Sequence, residues 1–321
     1  MSSCTARFCA LLATALLGLA SPASQGADAP YRFGVFGDTP YNSFERQHLP
    51  ELLSQMDQQP LAVVIHDGDI KSGGERCDDR LLDERLALFQ TSLHPFVLSA
   101  GDNEWTDCHR ASNGGYDPLE RLEALRKRFY PQGHTLGQTR LSVRQPEGEF
   151  AAYREFVAWT MGPVEFIILN LPGSENNFGP GTAPGAEHLA RSRVIRHWLA
   201  EGFARARDQN LQGIVVVIQA NPEFEQFAKG QKVRGYQAFL EQLVSETEHF
   251  DGEVLLVHGD THWHRIDRPL VNPQTGKTVA NLTRLETYGS PFMGWVEVEV
   301  QPDQKPLFRL TSHPFTPPSQ P

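Results

Sequence analysis

Four apolar segments of this chain are each followed by a Gly-Asp pair, and this pattern limits the possible folds more than any other feature of the sequence. The pairs are Gly37-Asp38, Gly68-Asp69, Gly101-Asp102 and Gly259-Asp260. The apolar runs before them, such as residues 31–36 and 61–65, are typical of strands buried on both faces. Open α/β sheets bind ligands at the carboxyl ends of their strands, where glycine lets the chain turn sharply. We therefore expect the four aspartates to line one crevice.

Segments with helical periodicity separate these runs. Helices are predicted at residues 79–90, 118–129, 187–207 and 235–248. Further buried strands are predicted at residues 96–98, 164–169, 214–218 and 254–257. Residues 295–300 alternate with a period of two, which indicates antiparallel strands near the end of the chain. The predicted fold class is α/β: a four-layer αββα sandwich of two mixed sheets flanked by helices.

The amino terminus has the pattern of an export signal. Arg7 precedes an apolar run at residues 8–20, and small residues follow up to residue 27. The run is too short to span a bilayer, so we expect cleavage and no stable membrane insertion. The chain of 321 residues then comprises a signal peptide at 1–27, one domain at 28–315 and a loose tail at 316–321. The mature protein is expected in the periplasm or outside the cell. The cleavage position and the oligomeric state stay open.

Charge and cysteine content restrict the partners and the compartment. The formal net charge of −10 argues against a nucleic-acid partner, because little offsets phosphate repulsion. Cleavage of the signal leaves Cys77 and Cys108, and two cysteines in an oxidising compartment predict one disulfide. They follow Asp69 and Asp102 closely, so the bridge would join two loops at the edge of the crevice.

The four pairs have further polar neighbours. Asn103 and Glu104 follow the third pair, and His262 follows the fourth. Carboxylates that converge in one crevice repel each other, and a divalent cation would offset that charge. The order of these motifs over residues 33–300 resembles the calcineurin-like metallophosphoesterase superfamily. The resemblance implies the sandwich fold, a centre of one or two divalent ions and hydrolysis of phosphate esters.

The resemblance assigns metal ligands by position. The ligand set is Asp38, Asp69, Asn103, Asp260 and His262, with Asp69 in the bridging place. Glu104 then serves as the catalytic, proton-transferring group. A second register of the third motif places Asp102 at the metal and Asn103 at the catalytic position. In the last motif, a register shifted by two residues would use His262 and His264.

This chain departs from the family pattern at several histidines. Pro40 stands where the first motif has a histidine, and the fourth motif offers only the neutral oxygens of Gln219 or Asn221. The resulting oxygen-rich set suits Mn²⁺, Mg²⁺ or Ca²⁺ better than Zn²⁺, with iron as a further candidate. A site that has lost its metal is the alternative.

Other residues lie close to the motifs. His66 and His258 each precede a Gly-Asp pair and either orient carboxylates or bond only to the backbone. His109 and Arg110 either bind a substrate phosphate or belong to a surface loop fixed by the disulfide. Lys71 is expected to be exposed.

Two functions follow from this sequence. The first is a metal-dependent hydrolase of a small phosphorylated substrate, either a monoester or a diester. The second is a non-catalytic protein that binds a phosphorylated ligand or a metal on a degenerate phosphoesterase fold. Replacement of the family's catalytic histidine favours the second.

Overall fold

The computed structural model describes Met1 and residues 29–317. Most of the predicted signal peptide and the last four residues of the predicted tail therefore lie outside the described residues. In chain order the elements are β1 (Tyr31–Phe36), α1 (Ser43–Asp57), β2 (Leu61–His66), α2 (Asp79–Phe89), β3 (Phe96–Leu98), α3 (Pro118–Phe129), β4 (Val157–Met161), β5 (Val164–Ile168), α4 (Gly173–Asn176), α5 (Ala186–Asp208), β6 (Gly213–Val217), α6 (Phe224–Ala228), α7 (Gln237–Glu248), β7 (Glu253–His258), β8 (Arg265–Asp267), β9 (Val271–Asn272), β10 (Lys277–Thr278), β11 (Leu282–Glu286), β12 (Gly294–Val300) and β13 (Phe308–Pro314).

The strands form two large mixed sheets and a small ribbon. The first sheet has the order β13-β12-β1-β2-β3, in which β1, β2 and β3 are parallel and β12 and β13 are antiparallel to their neighbours. The second has the order β4-β5-β6-β7-β11-β8, with a parallel centre and antiparallel edges. Strands β9 and β10 pair separately.

Alternation along the buried strands divides the core into layers. Val215 of β6 and Leu255 of β7 belong to the cluster between the two sheets. Their neighbours Val216 and Leu256 point the other way and pack with α5 and α7. The rings of Phe33 and Phe166, one from each sheet, meet edge to face at 5.1 Å. The predicted αββα sandwich is therefore confirmed.

Side-chain caps fix where the outer helices begin. Asn42, Asp78 and Asp117 accept hydrogen bonds from the first turns of α1, α2 and α3. Such caps satisfy backbone N–H groups that have no partner inside the helix. Because each of these helices follows a loop at the carboxyl end of β1, β2 or β3, the caps also limit how far those loops can move.

The sequence predicted most of these elements closely. Helix α3 has the predicted bounds, and α2, α5 and α7 differ by one or two residues at an end. Helix α1, which contains Pro50, the short helices α4 and α6 and strand β4 were not predicted. Of the strands after β7, only β12 was predicted with bounds. No helix in the described part has the length and apolar character needed to cross a membrane.

The predicted disulfide is present. Cys77 and Cys108 are buried and bonded, with a Cα–Cα distance of 5.8 Å. Both sulfur atoms lie near the carbonyl oxygen of Asn103, at 3.5 and 3.7 Å. The bridge thus joins the loops that follow β2 and β3 directly beside the third Gly-Asp pair.

We expect the bridge to stabilise the fold considerably. It links residues 31 positions apart, a loop for which the loss of unfolded-state entropy corresponds to about 3–4 kcal/mol. A Cys77→Ala/Cys108→Ala double variant should lose about this much free energy of unfolding, measured by urea titration. Denatured, unreduced wild type should contain no free thiol from this pair. Two titratable thiols, or equal stability of the variant, would contradict the prediction.

Candidate metal and phosphate site

The predicted ligands meet where strands from both sheets end. Asp38 follows β1, and Asp260 follows β7 in the other sheet. The backbone N–H of Asp260 donates to Oδ2 of Asp38 at 3.0 Å. Next to them, the backbone N–H of Asn103 donates to Oδ1 of Asp69 at 3.1 Å. The crevice is therefore built by β1, β2, β3 and β7 together.

Four of the five predicted ligands have a left-handed backbone. The φ angles are 46° at Asp38, 60° at Asp69, 77° at Asp260 and 59° at His262. Residues with a Cβ rarely adopt this conformation, at a cost of about 1–3 kcal/mol each, and such residues cluster at functional sites. Their concentration here makes the crevice the candidate functional site of the fold.

The glycines of the motifs are needed mainly for space. A Cβ on Gly37 would lie 1.4 Å from Oδ1 of Asp67, and one on Gly259 would lie 1.9 Å from Oδ2 of Asp38. Of the four motif glycines, Gly68 alone has a positive φ, 117°. The expectation that glycine supplies the sharp turn was therefore wrong for the other three. In three of the pairs the aspartate itself takes the left-handed angle, at Asp38, Asp69 and Asp260.

Tyr41 lies in the middle of the ligand set. Its position three residues after Asp38 is the one sequence signal that could have indicated this. Its hydroxyl donates to Oδ2 of Asp69 at 2.6 Å and lies 3.4 Å from Oδ1 of Asp38. The side-chain amide of Asn103 donates to the same hydroxyl at 2.9 Å. Burial, and then the charge of Asp69, raise the pKa of Tyr41 well above its usual value, so it is a hydrogen-bond donor.

The carboxyl groups crowd one another. Burial raises the pKa of Asp69 well above its ordinary value, and the charge of Asp102 adds to the shift. The same two causes raise the pKa of Asp260 to about 7. Burial also raises the pKa of Asp38, although the hydrogen bond of His262 opposes it. Positive charge in the crevice would relieve this repulsion.

His262 is oriented as a metal ligand would be. Its Nδ1 lies 2.7 Å from the carbonyl oxygen of Ser290, which fixes the Nδ1–H tautomer and turns Nε2 towards Oδ1 of Asp38 at 3.5 Å. Burial lowers the pKa of His262, but the hydrogen bond and charge of Asp38 outweigh this, so the pKa is raised overall.

Glu104 lies behind the crevice and is completely buried. Its Oε1 accepts the backbone N–H groups of Gly101 at 2.7 Å and Asp69 at 3.2 Å, thereby connecting two motifs. Burial raises the pKa of Glu104 to about 7. Lys71, which we expected to be exposed, is fully buried near it. Burial lowers the pKa of Lys71, while the charges of Glu104 and Asp69 partly counter the shift.

His66 and His258 act on the backbone of the motifs. The two nitrogens of His66 bond to the carbonyl oxygen of Thr39 at 3.2 Å and the N–H of Gly68 at 3.1 Å. Nδ1 of His258 lies 2.9 Å from the carbonyl oxygen of Gly259. Burial lowers the pKa of both histidines to about 3, so both are neutral. Through these hydrogen bonds, His66 and His258 fix the backbone that follows β1, β2 and β7.

Of the other residues predicted to lie near the metal, Gln219 and Asn221 are at the crevice and His264 is not. Oε1 of Gln219 accepts the N–H of Gly173 at 2.6 Å. The backbone N–H of Asn221 donates to Oδ2 of Asp260 at 2.9 Å. His264 turns away, with its ring nitrogens 2.8 Å from the carbonyl oxygen of Glu286 and from the hydroxyl of Ser312. The structure thus brings His262, and not His264, to the crevice.

Helix α4 is a left-handed turn that carries Ser174 to the site. Residues 174–177 all have φ between 49° and 54°. The hydroxyl of Ser174 lies 2.6 Å from Oδ2 of Asp102 and 3.0 Å from Oδ1 of Asp107. Gly173 itself packs against two carboxylates: a Cβ added to it would lie 2.8 Å from Oδ2 of Asp102 and 3.0 Å from Oδ1 of Asp260. Asp102 therefore faces the crevice together with Asn103, so both registers of the third motif stay open.

Buried hydrogen bonds hold this turn in place. Nη2 of Arg191 donates to the carbonyl oxygen of Asn176 at 2.9 Å, and the N–H of Asn176 donates to the hydroxyl of Tyr236 at 3.2 Å. Gly235 packs so closely that a Cβ there would lie 2.0 Å from the carbonyl oxygen of Glu175. Strained backbone persists only when its surroundings specify it in this way.

Arg110 and His109 lie at the mouth of the crevice. Both are exposed, and Nη1 of Arg110 pairs with Oδ2 of Asp107 at 2.7 Å. Gly73 lies close to both Asn103 and Arg110: a Cβ added to it would be 3.0 Å from Oδ1 of Asn103 and 3.9 Å from Nη1 of Arg110. The guanidinium and the amide of Asn103 are therefore on the same side. Nδ1 of His109 bonds to the carbonyl oxygen of Thr106 at 2.7 Å.

The residues fit a metal in their chemistry. Among the described residues, no group of three or more His, Cys, Asp or Glu side chains is arranged so that it could hold a metal ion. The carboxylates instead accept the N–H and O–H donors described above. Carboxylate and amide oxygens with one imidazole are nevertheless donors that suit a hard divalent cation. Because their pKa values are raised, Asp69 and Asp260 tend to hold protons in the absence of a metal. A bound cation would displace those protons and offset the negative charge in their place.

Comparison with known proteins shows the fold. The structure is similar to a dimetal phosphatase from Danio rerio, with a TM-score of 0.54 and 13% identity over 88% of this chain and 96% of that one. It is also similar to PhoD, with a TM-score of 0.53 and 13% identity over 91% of this chain and 70% of that one. The chain shares its fold with both. No protein-family model matches the sequence, and no curated protein matches it either.

The raised pKa of Asp260 predicts a pH dependence of stability. In metal-free protein the folded chain keeps the Asp260 proton up to a pH of about 7, whereas the unfolded chain releases it near 3.8. The free energy of unfolding therefore falls as the pH rises through this range. Asp260→Asn cannot ionise, so its stability relative to wild type should rise by on the order of 4 kcal/mol across the range. Urea unfolding with a chelator measures this; a constant difference would contradict it.

Proposed function

We propose that this chain hydrolyses phosphate esters with the help of one or two divalent cations bound in the crevice. The observation that carries the proposal is the convergence of Asp38, Asp69, Asn103, Asp260 and His262 at strand ends of a fold shared with a dimetal phosphatase. Mn²⁺, Mg²⁺ or Ca²⁺ is the expected ion, because oxygen donors predominate.

A bound cation would lower the pKa of a water molecule and stabilise negative charge on the phosphoryl group. The chain's own residues then position the reactants. Arg110 would bind phosphate oxygens through its two-pronged guanidinium, and His109 would add a donor beside it. Ser174 holds Asp102 in one orientation through the 2.6 Å contact of its hydroxyl.

Two buried residues support the crevice from behind. Glu104 holds the loops of Gly101 and Asp69 together through their N–H groups, and Lys71 contributes positive charge against the carboxylates. The sequence assigned proton transfer to Glu104. Its complete burial favours a positioning role instead, and the variants below separate the two roles.

Export is part of the proposal. A buried disulfide beside the site requires an oxidising compartment to form and persist. We infer that the chain works in the periplasm or outside the cell, as its amino-terminal sequence pattern predicts. A small phosphorylated molecule is the expected substrate.

A binding protein is the second candidate. The observation that favours it is the hydrogen-bonded state of the carboxylates, which already have N–H and O–H partners. Turnover of an aryl phosphate in the presence of Mn²⁺ distinguishes the candidates, because a binding protein would retain the ligand without producing phosphate.

Asp69→Asn tests the cation site. The change keeps the size of the side chain but removes the charge that would offset the cation. Metal content and phosphoesterase activity should fall together by more than tenfold, since a charge-assisted contact contributes about 1.5–3 kcal/mol. Elemental analysis after dialysis and an aryl phosphate assay measure the two quantities.

Asp251→Asn is the matched control for this experiment. Asp251 is exposed and precedes β7, at the opposite end of the strand from Asp260. This variant should keep wild-type metal content and activity. If Asp69→Asn also keeps wild-type metal content, the crevice does not hold the cation, and the proposal loses its basis.

Glu104→Gln tests the role of the buried acid. Glutamine retains an oxygen that can accept from Gly101 and Asp69, so a positioning role predicts retained metal and less than tenfold loss of kcat. Glu104→Ala removes the acceptor and should lose both metal and activity. A large fall in kcat of Glu104→Gln with full metal content would instead assign proton transfer to Glu104.

A further inference from the structure

Two aromatic side chains beside the crevice are unusually exposed. Trp263 is 67% exposed and Phe292 is 69% exposed, the highest values among the large hydrophobic residues at positions 29–317. Isolated exposed apolar residues are common on protein surfaces. These two differ because both belong to the backbone segments that hold His262.

The connections to His262 are direct. Trp263 is its neighbour in the chain. Phe292 closes a turn, since its N–H donates to the carbonyl oxygen of Gly289 at 2.9 Å. Within that turn, the carbonyl oxygen of Ser290 bonds to Nδ1 of His262 at 2.7 Å. A Cβ on Gly289 would lie 2.8 Å from the His262 ring. Both aromatic residues therefore belong to the segments that adjoin His262 at one side of the crevice.

The indole of Trp263 is largely exposed but is held in place by Arg265 and Glu286. The guanidinium of Arg265 lies 5.2 Å from the ring centroid, and Arg265 is itself fixed by Oε2 of Glu286 at 2.6 Å. The backbone N–H of Trp263 donates to Oε1 of the same glutamate at 3.3 Å. An aromatic ring that is held in place yet largely exposed loses little entropy when another ring stacks on it.

We propose that Trp263 and Phe292 bind an aromatic ring in the alcohol part of the phosphate ester, so that the substrate is an aryl or nucleoside phosphate. The inference rests on the proposed function, in which the phosphate binds at the cation that His262 helps to hold. Nucleic-acid bases and aryl rings of different kinds all stack on tryptophan, because each has a flat π face. The net charge of −10 and the crowded carboxylates oppose the main alternative, an anionic membrane surface.

Trp263→Ala and Phe292→Ala test this by comparison of esters. The substrates are phenyl phosphate, a nucleoside monophosphate and glycerol phosphate, each with Mn²⁺. We expect KM for the two aromatic esters to rise about tenfold in each variant, the effect of removing one stacking contact. KM for glycerol phosphate and kcat for all three should stay within about twofold of wild type. Equal effects on all three esters, or none, would overturn the inference.

The control is Leu93→Ala. Leu93 is 49% exposed and lies before β3, at the end of the sheet away from the crevice, so its loss should leave every KM unchanged. Sedimentation with vesicles of phosphatidylcholine mixed with anionic phosphatidylglycerol tests the membrane alternative. If wild type sediments with them and the two variants do not, the residues bind lipid and the inference is wrong.

A binding measurement separates this inference from the proposed function. Titration with phenyl phosphate should quench wild-type tryptophan fluorescence, and Trp263→Ala should show weaker binding by about tenfold. If no ester is hydrolysed but this difference is present, the hydrolase proposal fails and the aromatic subsite stands. If esters are hydrolysed while both proteins bind phenyl phosphate equally, the aromatic subsite fails and the hydrolase stands.

Discussion

The carboxylates at the strand ends repel one another, and much of the surrounding structure serves to hold them together. Backbone N–H groups reach Asp38 and Asp69, and the hydroxyl of Tyr41 lies between these two residues. Left-handed angles at Asp38 and Asp69 add strain to the same loops. Native proteins keep such costs where a ligand or a reaction depends on them. The stability of the sandwich offsets the instability of the edge that carries these carboxylates.

The fold was largely predictable because its signals are local and repeated. Buried parallel strands require continuous apolar runs, and amphipathic helices require a 3.6-residue period, so both patterns are visible without a structure. The position of the crevice could then be predicted, because ligand sites lie at the carboxyl ends of such strands. Helix α1 and the short strands β8 to β10 lack such signals. Pro50 interrupts the helical pattern of α1, and two- or three-residue strands are too short to show a period.

The site was predictable only where side chains follow a strand directly. Asp38, Asp69, Asn103, Asp260 and His262 all meet as expected. Tyr41, Ser174 and Lys71 reach the crevice through loops whose backbone angles no local pattern specifies. Ser174 depends on a left-handed turn that Arg191 and Tyr236 stabilise from elsewhere in the chain. The burial of Glu104 likewise follows from packing between loops, which residue type alone does not reveal.

Strand β1 has a consequence for how the crevice comes into being. One of its neighbours, β2, follows it closely, but the other, β12, spans Gly294–Val300. The hydrogen bond between Asp260 and Asp38 joins residues 222 positions apart. An emerging chain therefore has no crevice until almost all of it has been synthesised. If the chain is exported and crosses the membrane before it folds, the ion of the proposed site would be taken from the medium outside and not from the cytosol. The supply of cations in that compartment, as much as the ligands, would then determine which ion the folded protein carries.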